Sequence, residues 1–170
     1  MKPSQRLAST FAAVLTLSSP ALAGTATSNL NVSATVSANC TISTAAVAFG
    51  AYDPVSANAA AGLDGTGSVT VSCTSGSGAV ITLGQGNNSD TGSTEMAPLR
   101  RMSDGAANFL AYALYQDAPR TTAWGNTAET GVPHLGTGTA TSITIFGTIA
   151  AGQNVPAATY NDSVVATITF

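Results

Sequence analysis

The chain has two cysteines, Cys40 and Cys73, whose chemistry depends on the compartment in which the protein folds. An oxidising compartment favours a disulfide, whereas metal-binding and thiol-redox pairs usually have a closer spacing such as Cys-x-x-Cys. Each cysteine lies on the apolar parity of an alternating segment. We therefore predict a structural disulfide that closes a loop of about 33 residues and contributes roughly 3–4 kcal/mol to the free energy of unfolding.

Residues that usually carry catalysis or bind cofactors are sparse. His134 is the single histidine, and neither a Gly-x-Ser-x-Gly motif nor an acidic residue in register accompanies it. We expect it to be a solvated loop residue. Two Gly-x-Gly turns, at residues 65–67 and 84–86, lack the third glycine of a nucleotide-binding fingerprint. The polar turn around Asp90 does not keep the register of a calcium loop, so we predict no catalytic residue, no cofactor and no metal site.

The N-terminal residues have the organisation of a secretory signal peptide. Lys2 and Arg6 precede an apolar stretch over residues 7–17, and Ala21-Leu22-Ala23 provides an Ala-x-Ala cleavage site. The apolar stretch is too short to span a bilayer of about 30 Å, so we expect no stable membrane insertion. Residues 1–23 are predicted to be removed on export, which supplies the oxidising compartment that the disulfide requires.

The charge balance excludes one class of partner. Once Lys2 and Arg6 are removed with the signal peptide, only Arg100, Arg101 and Arg120 remain against eight acidic side chains. Nucleic-acid binding needs a clustered basic surface, so we expect no nucleic-acid partner. Charged residues make up only 8% of the chain, far below the ~25% of an ordinary soluble domain, which suits an extracellular structural protein.

The elements that must hold the cysteines begin with an alternating segment at residues 25–42. Its period of two is typical of a β-strand with one apolar face. At roughly 3.3 Å per residue it would extend about 55 Å, which is too long for one domain. We interpret residues 24–36 as an extension that completes another sheet, and residues 38–42 as the domain's own strand. The alternative is one long strand folded back on its own sheet, and Val36 fits either part.

The remaining residues indicate short strands and turns, without a helical stripe of three or more turns. Residues 68–73 and 79–83 are predicted to pair as a hairpin, and residues 109–116, apolar on both parities, to be buried on both faces. We expect Trp124 to pack the long connection 117–138 onto the sheets. Further strands are predicted at residues 46–49, 99–102, 142–149 and 160–170. About seven short strands favour an immunoglobulin-like β-sandwich.

The order of these segments resembles the spore coat U domain family, and within it the major subunits of archaic, Csu-type chaperone-usher pili. The resemblance covers residues 24–170. It rests on the order and spacing of Asn39-Cys40-Thr41-Ile42, Phe49-Gly50, Val69-Thr70-Val71-Ser72-Cys73, and the segments 111–117, 145–149 and 160–170.

The resemblance implies an all-β fold, an incomplete immunoglobulin-like β-sandwich that lacks its last strand and is completed by donor-strand complementation. A periplasmic chaperone fills the open groove in transit, and the N-terminal extension of the next subunit replaces it at an outer-membrane usher. Residues 24–36 would be the donor strand and residues 37–170 the domain. The implied donor positions are Ala26, Leu30, Val32, Ala34 and Val36, and the implied chaperone-pairing positions are Val164, Ala166, Ile168 and Phe170.

The function that follows is that of a structural pilus subunit, for surface attachment and biofilm formation, with a chaperone, an usher and neighbouring subunits as partners. We expect the protein to pass through the periplasm into an extracellular fimbrium. A single domain favours a shaft subunit over a tip adhesin. The alternative is a secreted spore-coat-type structural protein that acts as a monomer or a small self-complemented assembly. A periplasmic ligand-binding or hydrolytic domain is a third class, and no site supports it.

Overall fold

The computed structural model describes residues 22–170, so the predicted signal peptide lies outside the described residues except for Leu22 and Ala23. Residues 36–170 belong to one compact unit. Residues 22–35 belong to a separate unit, in which the chain forms no strand and the side chains are exposed. Over the described part of the chain, no helix is long and apolar enough to cross a membrane.

The compact unit is built from two antiparallel sheets, and the predicted all-β class is confirmed. The five-stranded sheet has the order β1-β2-β7-β5-β4, and the three-stranded sheet has the order β6-β3-β8. The eight strands of the described chain are β1 Cys40–Ala45, β2 Leu63–Cys73, β3 Gly78–Leu83, β4 Arg100–Ser103, β5 Phe109–Tyr115, β6 Val132–Leu135, β7 Thr141–Ile149 and β8 Ala166–Thr169.

The core lies between the apolar faces of the two sheets. It contains alternate residues of the strands, since a period of two places them on one face, together with one tryptophan from a connection. Trp124 is fully buried, and its indole Nε1 donates a hydrogen bond to the Ile81 carbonyl at 2.9 Å. The expectation that Trp124 packs a long connection onto the sheets is thus confirmed. The buried cluster is Val69, Val71, Ile81, Leu83, Leu114, Trp124 and Ile145.

The predicted disulfide is confirmed. Cys40 and Cys73 stand opposite each other in the register of β1 and β2, and their sulfur atoms are bonded. The apolar parity of both segments explains the match, because side chains on one face of an antiparallel pair meet directly across the two strands.

The predicted hairpin between residues 68–73 and 79–83 is wrong. β3 pairs with β6 and β8 in the three-stranded sheet, whereas β2 pairs with β1 and β7. Each segment has one apolar face, and facing sheets bury such faces against each other. Alternation is the same whether two strands lie side by side or face to face, so it could not distinguish these arrangements.

The region around residues 46–67 also differs from the prediction. Residues 46–49 form no strand, and β2 begins at Leu63, so it includes the Gly-x-Gly segment 65–67 that was predicted to be a turn. A Cβ at Gly67 would lie 2.7 Å from a methyl carbon of Val47, and one at Gly65 would lie 2.9 Å from the Phe49 ring. Gly65 and Gly67 are therefore strand residues, and because they lack a side chain, the side chains of Phe49 and Val47 can pack directly against them.

Three other predictions are corrected. Leu110 and Leu114 of β5 are buried but Ala111 is exposed, so only one face of this strand is fully buried. The connection 117–138 contains β6, where Pro133 occurs because an edge strand tolerates a missing donor. His134 belongs to β6, and its Nε2 is buried without a hydrogen-bond partner among the described residues, so it is not a solvated loop histidine.

Several strand boundaries differ from the sequence prediction as well. The first strand of the domain begins at Cys40 rather than residue 38. The last strand, β8, is confined to Ala166–Thr169 within the predicted segment 160–170. The strands predicted at residues 99–102, 109–116 and 142–149 correspond closely to β4, β5 and β7.

Candidate functional site

The candidate site lies beside β8, an edge strand of the three-stranded sheet. β8 pairs with β3 along one side. The preceding residues continue this path, because the Val165 carbonyl accepts a bond from the Gly84 amide at 2.9 Å and the Ser163 carbonyl one from the Asn87 amide at 3.2 Å. The opposite side of β8 has no strand partner within residues 22–170. An unpaired edge offers main-chain donors and acceptors to an added strand.

The second wall of the site comes from β1, an edge of the five-stranded sheet. Some Cα atoms of β1 and β8 lie within 8 Å of each other, although the two strands are not paired. Residues of the segments 44–49 and 160–166 line a cavity of about 360 Å³. We call the space between these two segments the edge groove.

The edge groove is apolar at its base. Leu83, Leu114 and Ile145, which belong to the buried core, line it together with Met102. A second cavity of about 780 Å³ shares Val47 and Phe49 with the first and continues it. The base of the edge groove is therefore formed by side chains of the buried core, beside an unpaired strand edge.

The predicted chaperone-pairing residues are mostly brought together in this place. Val164, Ala166 and Ile168 are half-buried and pack against the core, while the intervening residues are exposed. Phe170 differs, since it follows β8 and its side chain is 54% exposed. The apolar face of the last segment thus faces the interior of the sandwich, and its outer backbone edge remains accessible.

Asp162, which sequence reasoning missed, anchors the start of this last segment. Its carboxylate accepts hydrogen bonds from the Tyr112 hydroxyl at 2.6 Å, the Asn87 amide at 2.9 Å and Asn88 Nδ2 at 3.1 Å. Burial, followed by the hydrogen bond to Asp162, raises the pKa of Tyr112 well above its usual range, so this phenol stays a donor at physiological pH. The polar triplet 160–162 was the one sequence signal for this anchor.

Asn161, next to Asp162, attaches the start of the last segment to the five-stranded sheet. Its amide and carbonyl exchange hydrogen bonds with Ser103 of β4, at 2.9 and 2.8 Å. The last segment therefore starts against one sheet and ends in the other. This crossing leads into β8, which pairs with β3.

Arg100 stabilises the C-terminal end of β3, and sequence reasoning missed it as well. The residue is 2% exposed. Its Nε donates to the Gly84 carbonyl at 2.8 Å, and its Nη2 donates to the carbonyls of Leu83 and Trp124 at 2.7 and 2.8 Å. Burial lowers the pKa of Arg100 to about 10. A buried cation is costly unless its donors are satisfied, and here three main-chain carbonyls satisfy them while holding the loops beside β8.

The predicted donor positions are not gathered into a site within the described chain. Leu30, Val32 and Val36 are 87%, 86% and 81% exposed. Ala26 and Ala34 are exposed too, and residues 22–39 contain no strand. The extension thus presents alternating apolar and polar side chains to solvent.

Comparison with solved structures defines the class of fold. A chain in the crystal structure of the CsuC–CsuE chaperone–tip adhesion subunit pre-assembly complex, from the archaic chaperone-usher Csu pili of Acinetobacter baumannii, matches with a TM-score of 0.57 at 21% identity. The match covers 80% of the present chain, which spans about 40% of the length of that chain. This likeness establishes a fold similar to that of a chaperone-usher pilus subunit.

Sequence comparison then identifies the family. Residues 26–167 match the Spore Coat Protein U domain. The chain is also 54% identical to Protein U of Myxococcus xanthus over 168 residues, which is 95% of this chain and 94% of that protein. The chain belongs to the Spore Coat Protein U domain family, as its sequence pattern predicted. The family and fold are structural and non-enzymatic.

Proposed function

We propose that this protein is a structural subunit of a chaperone-usher pilus and that it polymerises by donor-strand exchange. Residues 24–36 of one subunit lie in the edge groove of the next, with Ala26, Leu30, Val32, Ala34 and Val36 on the buried face. The observation that carries the proposal is the unpaired outer edge of β8 beside a groove whose base is formed by core side chains. The exposed, alternating extension supplies a strand of matching chemistry.

The energetics favour such a contact. Burying Leu30 and Val32 contributes about 1.5–3 kcal/mol each, because both side chains are exposed in the single chain. Each main-chain hydrogen bond to the β8 edge adds on the order of 1 kcal/mol net. The donated strand and the accepting groove are different surfaces, so the contact is heterologous and repeats into a fibre.

The geometry also supports a role for a periplasmic chaperone. A strand between two others requires two strand spacings, about 9.6 Å in all, whereas Cα atoms of β1 and β8 approach within 8 Å. The groove must therefore widen to accept a full strand. A periplasmic chaperone that pairs with Val164, Ala166, Ile168 and Phe170 keeps it open and shields an edge that otherwise promotes aggregation.

The remaining partners and the location follow from this assembly. An outer-membrane usher exchanges the chaperone for the next subunit's extension, and the resulting homopolymer forms an extracellular fimbrium for surface attachment and biofilm formation. Residues 1–23 act as the export signal, and residues 37–170 form the domain. The fold similarity to a chain of a chaperone–subunit complex supports this assignment.

A second candidate is a secreted spore-coat-type structural protein. The 54% identity to Protein U over nearly the whole length, together with the family's spore-coat name, favours it. In this case the extension fills its own groove or that of a small closed assembly. Both candidates use the same strand and groove, and they differ in whether the contacts close or propagate.

The two candidates can be separated with the exported full chain and a variant that lacks residues 24–36. Under the pilus proposal, the full chain gives a ladder of multimers on unheated denaturing gels and fibres under the electron microscope. A closed assembly gives one discrete multimer or a monomer. The deletion variant should form no ladder but should still bind the chaperone.

A peptide of residues 24–36 tests the groove directly. Added to the deletion variant, it should raise the melting temperature, whereas the same peptide with Leu30→Asp and Val32→Asp should not. Fibre formation by the deletion variant would refute donor-strand exchange by these residues.

A further inference from the structure

The junction between the extension and the domain is held by one side chain, that of Thr74. This residue follows β2 directly after Cys73. The Asn39 amide donates to Thr74 Oγ1 at 3.1 Å, and the Thr74 amide donates to the Asn39 carbonyl at 2.9 Å. The Ser37 carbonyl lies 3.4 Å from the same hydroxyl oxygen. One residue therefore contacts the main chain at two positions ahead of β1.

The hydroxyl can serve both positions at once. It has one hydrogen to donate and two lone pairs to accept with. The hydroxyl hydrogen lies within reach of both the Asn39 carbonyl, at 3.3 Å, and the Ser37 carbonyl, at 3.4 Å, while the oxygen accepts from the Asn39 amide. The Asn39 carbonyl also accepts from the Thr74 amide, so the hydroxyl is the one described donor to the Ser37 carbonyl. The disulfide at Cys40 follows immediately. The chain is thus tied at residues 40, 39 and 37.

The next residue outward is not tied in this way. Val36 is 81% exposed, and no hydrogen bond of residues 22–36 is found within the described part of the chain. The boundary between hydrogen-bonded backbone and backbone without hydrogen bonds therefore lies between Ser37 and Val36.

Thr74 itself is fixed by the loop that packs against it. The Ser77 amide donates to the Thr74 carbonyl, and the Gly138 amide donates to the Cys73 carbonyl, both at 3.0 Å. Gly136 lies so close that an added Cβ would clash with the Thr74 carbonyl oxygen. Thr74 cannot shift without moving residues 136–138, so it provides a rigid attachment point.

We propose that Thr74 is a positioning residue that sets where the donor strand leaves its domain, and that it thereby places the joint between successive pilus subunits at Val36. The proposal rests on the proposed function and refines it. In a fibre linked by donor strands, the residues between the domain and the neighbour's groove determine how freely one subunit bends against the next. Tying Ser37 and Asn39 to Thr74 shortens this free segment and stiffens the fibre.

The test compares Thr74→Val with Thr66→Val in the exported full chain. Valine keeps the β-branched shape and the Thr74 main-chain bonds but removes the hydroxyl. Thr66 is an exposed β2 residue whose hydroxyl has no partner among the described hydrogen bonds, so its variant is a matched control. Hydrogen exchange is measured at the Asn39 amide, and the bending persistence length of negatively stained fibres is measured from images.

We expect the Asn39 amide to exchange about fivefold faster in Thr74→Val, as loss of one hydrogen bond implies, and the persistence length to fall by roughly half. Thr66→Val should change neither. Unchanged Asn39 exchange would refute the tie, and faster exchange with unchanged stiffness would reduce Thr74 to a local cap of β2. If no variant, including the wild type, forms fibres, the pilus function fails, while the exchange measurement still decides whether Thr74 ties the junction.

Discussion

The two halves of the alternating segment 25–42 have the same sequence pattern but adopt different structures. Leu30 and Val32, in the first half, are more than 80% exposed and belong to no strand. Ile42, in the second half, lies in β1 and packs against the core. The period of two therefore makes both halves competent to form a strand, and the presence of a partner decides which half does.

The partner of the second half is β2. Six residues of β1 are in register with it, and the disulfide joins the first of these pairs. The first half has no such neighbour within the described residues, and we propose that it finds one in another subunit. Weakening the attachment of the second half to β2, or removing apolar side chains from the first half, tests whether the two halves have different partners.

The largest expected effect comes from removing the disulfide. The double variant Cys40→Ala and Cys73→Ala should lose about 3–4 kcal/mol of unfolding free energy, because the closed loop of 33 residues no longer restricts the unfolded chain. Urea unfolding followed by fluorescence of the buried Trp124 measures the loss. Reductant should destabilise the wild type and leave the double variant unchanged. A loss below about 1 kcal/mol would indicate that the β1–β2 ladder alone retains the second half.

Single substitutions in the two halves should act on different equilibria. Ile42→Ala should lower the unfolding free energy of the domain by about 1–2 kcal/mol, less than a fully buried residue would, because Ile42 is half-buried. Leu30→Ala should leave domain stability within about 0.5 kcal/mol but weaken each subunit contact by about 1.5–3 kcal/mol. Urea unfolding and the dissociation temperature of the multimer ladder provide the two measurements.

Asn31→Ala is the matched control for Leu30→Ala, since Asn31 has the opposite parity in the extension. It should affect neither equilibrium strongly. Equal loss of domain stability in Leu30→Ala and Ile42→Ala would mean that both halves belong to the same sheet.

Acid should have the smallest effect, and it should lower the stability of the domain without acting on the extension. Residues 24–39 contain no ionisable side chain. In the domain, side-chain hydrogen bonds from Asn126, Asn108 and Thr121 lower the pKa values of Glu95, Asp104 and Asp117, respectively, below their ordinary values of 4.5, 3.8 and 3.8. A carboxyl whose folded pKa is lowered stabilises the fold above its ordinary pKa, and this stabilisation is lost as pH falls through the lowered value.

Urea midpoints should therefore decrease as the pH falls below about 4, with only a modest amplitude because these carboxylates are exposed. Asp117→Asn should reduce the slope with pH. Glu129→Gln is the control, because no hydrogen bond to the Glu129 carboxylate is found among the described contacts. A pH slope that survives in Asp117→Asn at full size would assign the effect to other groups.

Much of the domain could be predicted from local pattern. The disulfide between Cys40 and Cys73 followed from predicted export and from the apolar parity of both cysteines, and the alternation around Ile145 marked β7. The glycine-rich start of β2 was misread, since its small residues serve contacts with Val47 and Phe49 that are distant in sequence.

The candidate site could be predicted only in part. The inward side chains of Val164, Ala166 and Ile168 follow from parity. Asp162 and Arg100 did not stand out, because their roles depend on partners in other elements: the Tyr112 hydroxyl for Asp162, and main-chain carbonyls of β3 and the Trp124 connection for Arg100. Nothing in their immediate sequence indicates those partners.

The all-β class, the disulfide and the apolar parity of each strand could be predicted from the chain alone, because these depend on residue type and on a period of two. Which strand edges pair depends on the folded domain, in which β3 joins β6 and β8 and an edge groove lies beside β8. The physical reason is that alternation specifies which face of a strand is apolar. The main-chain donors and acceptors lie along the two edges of the strand, and the packing of the whole domain decides which edges pair.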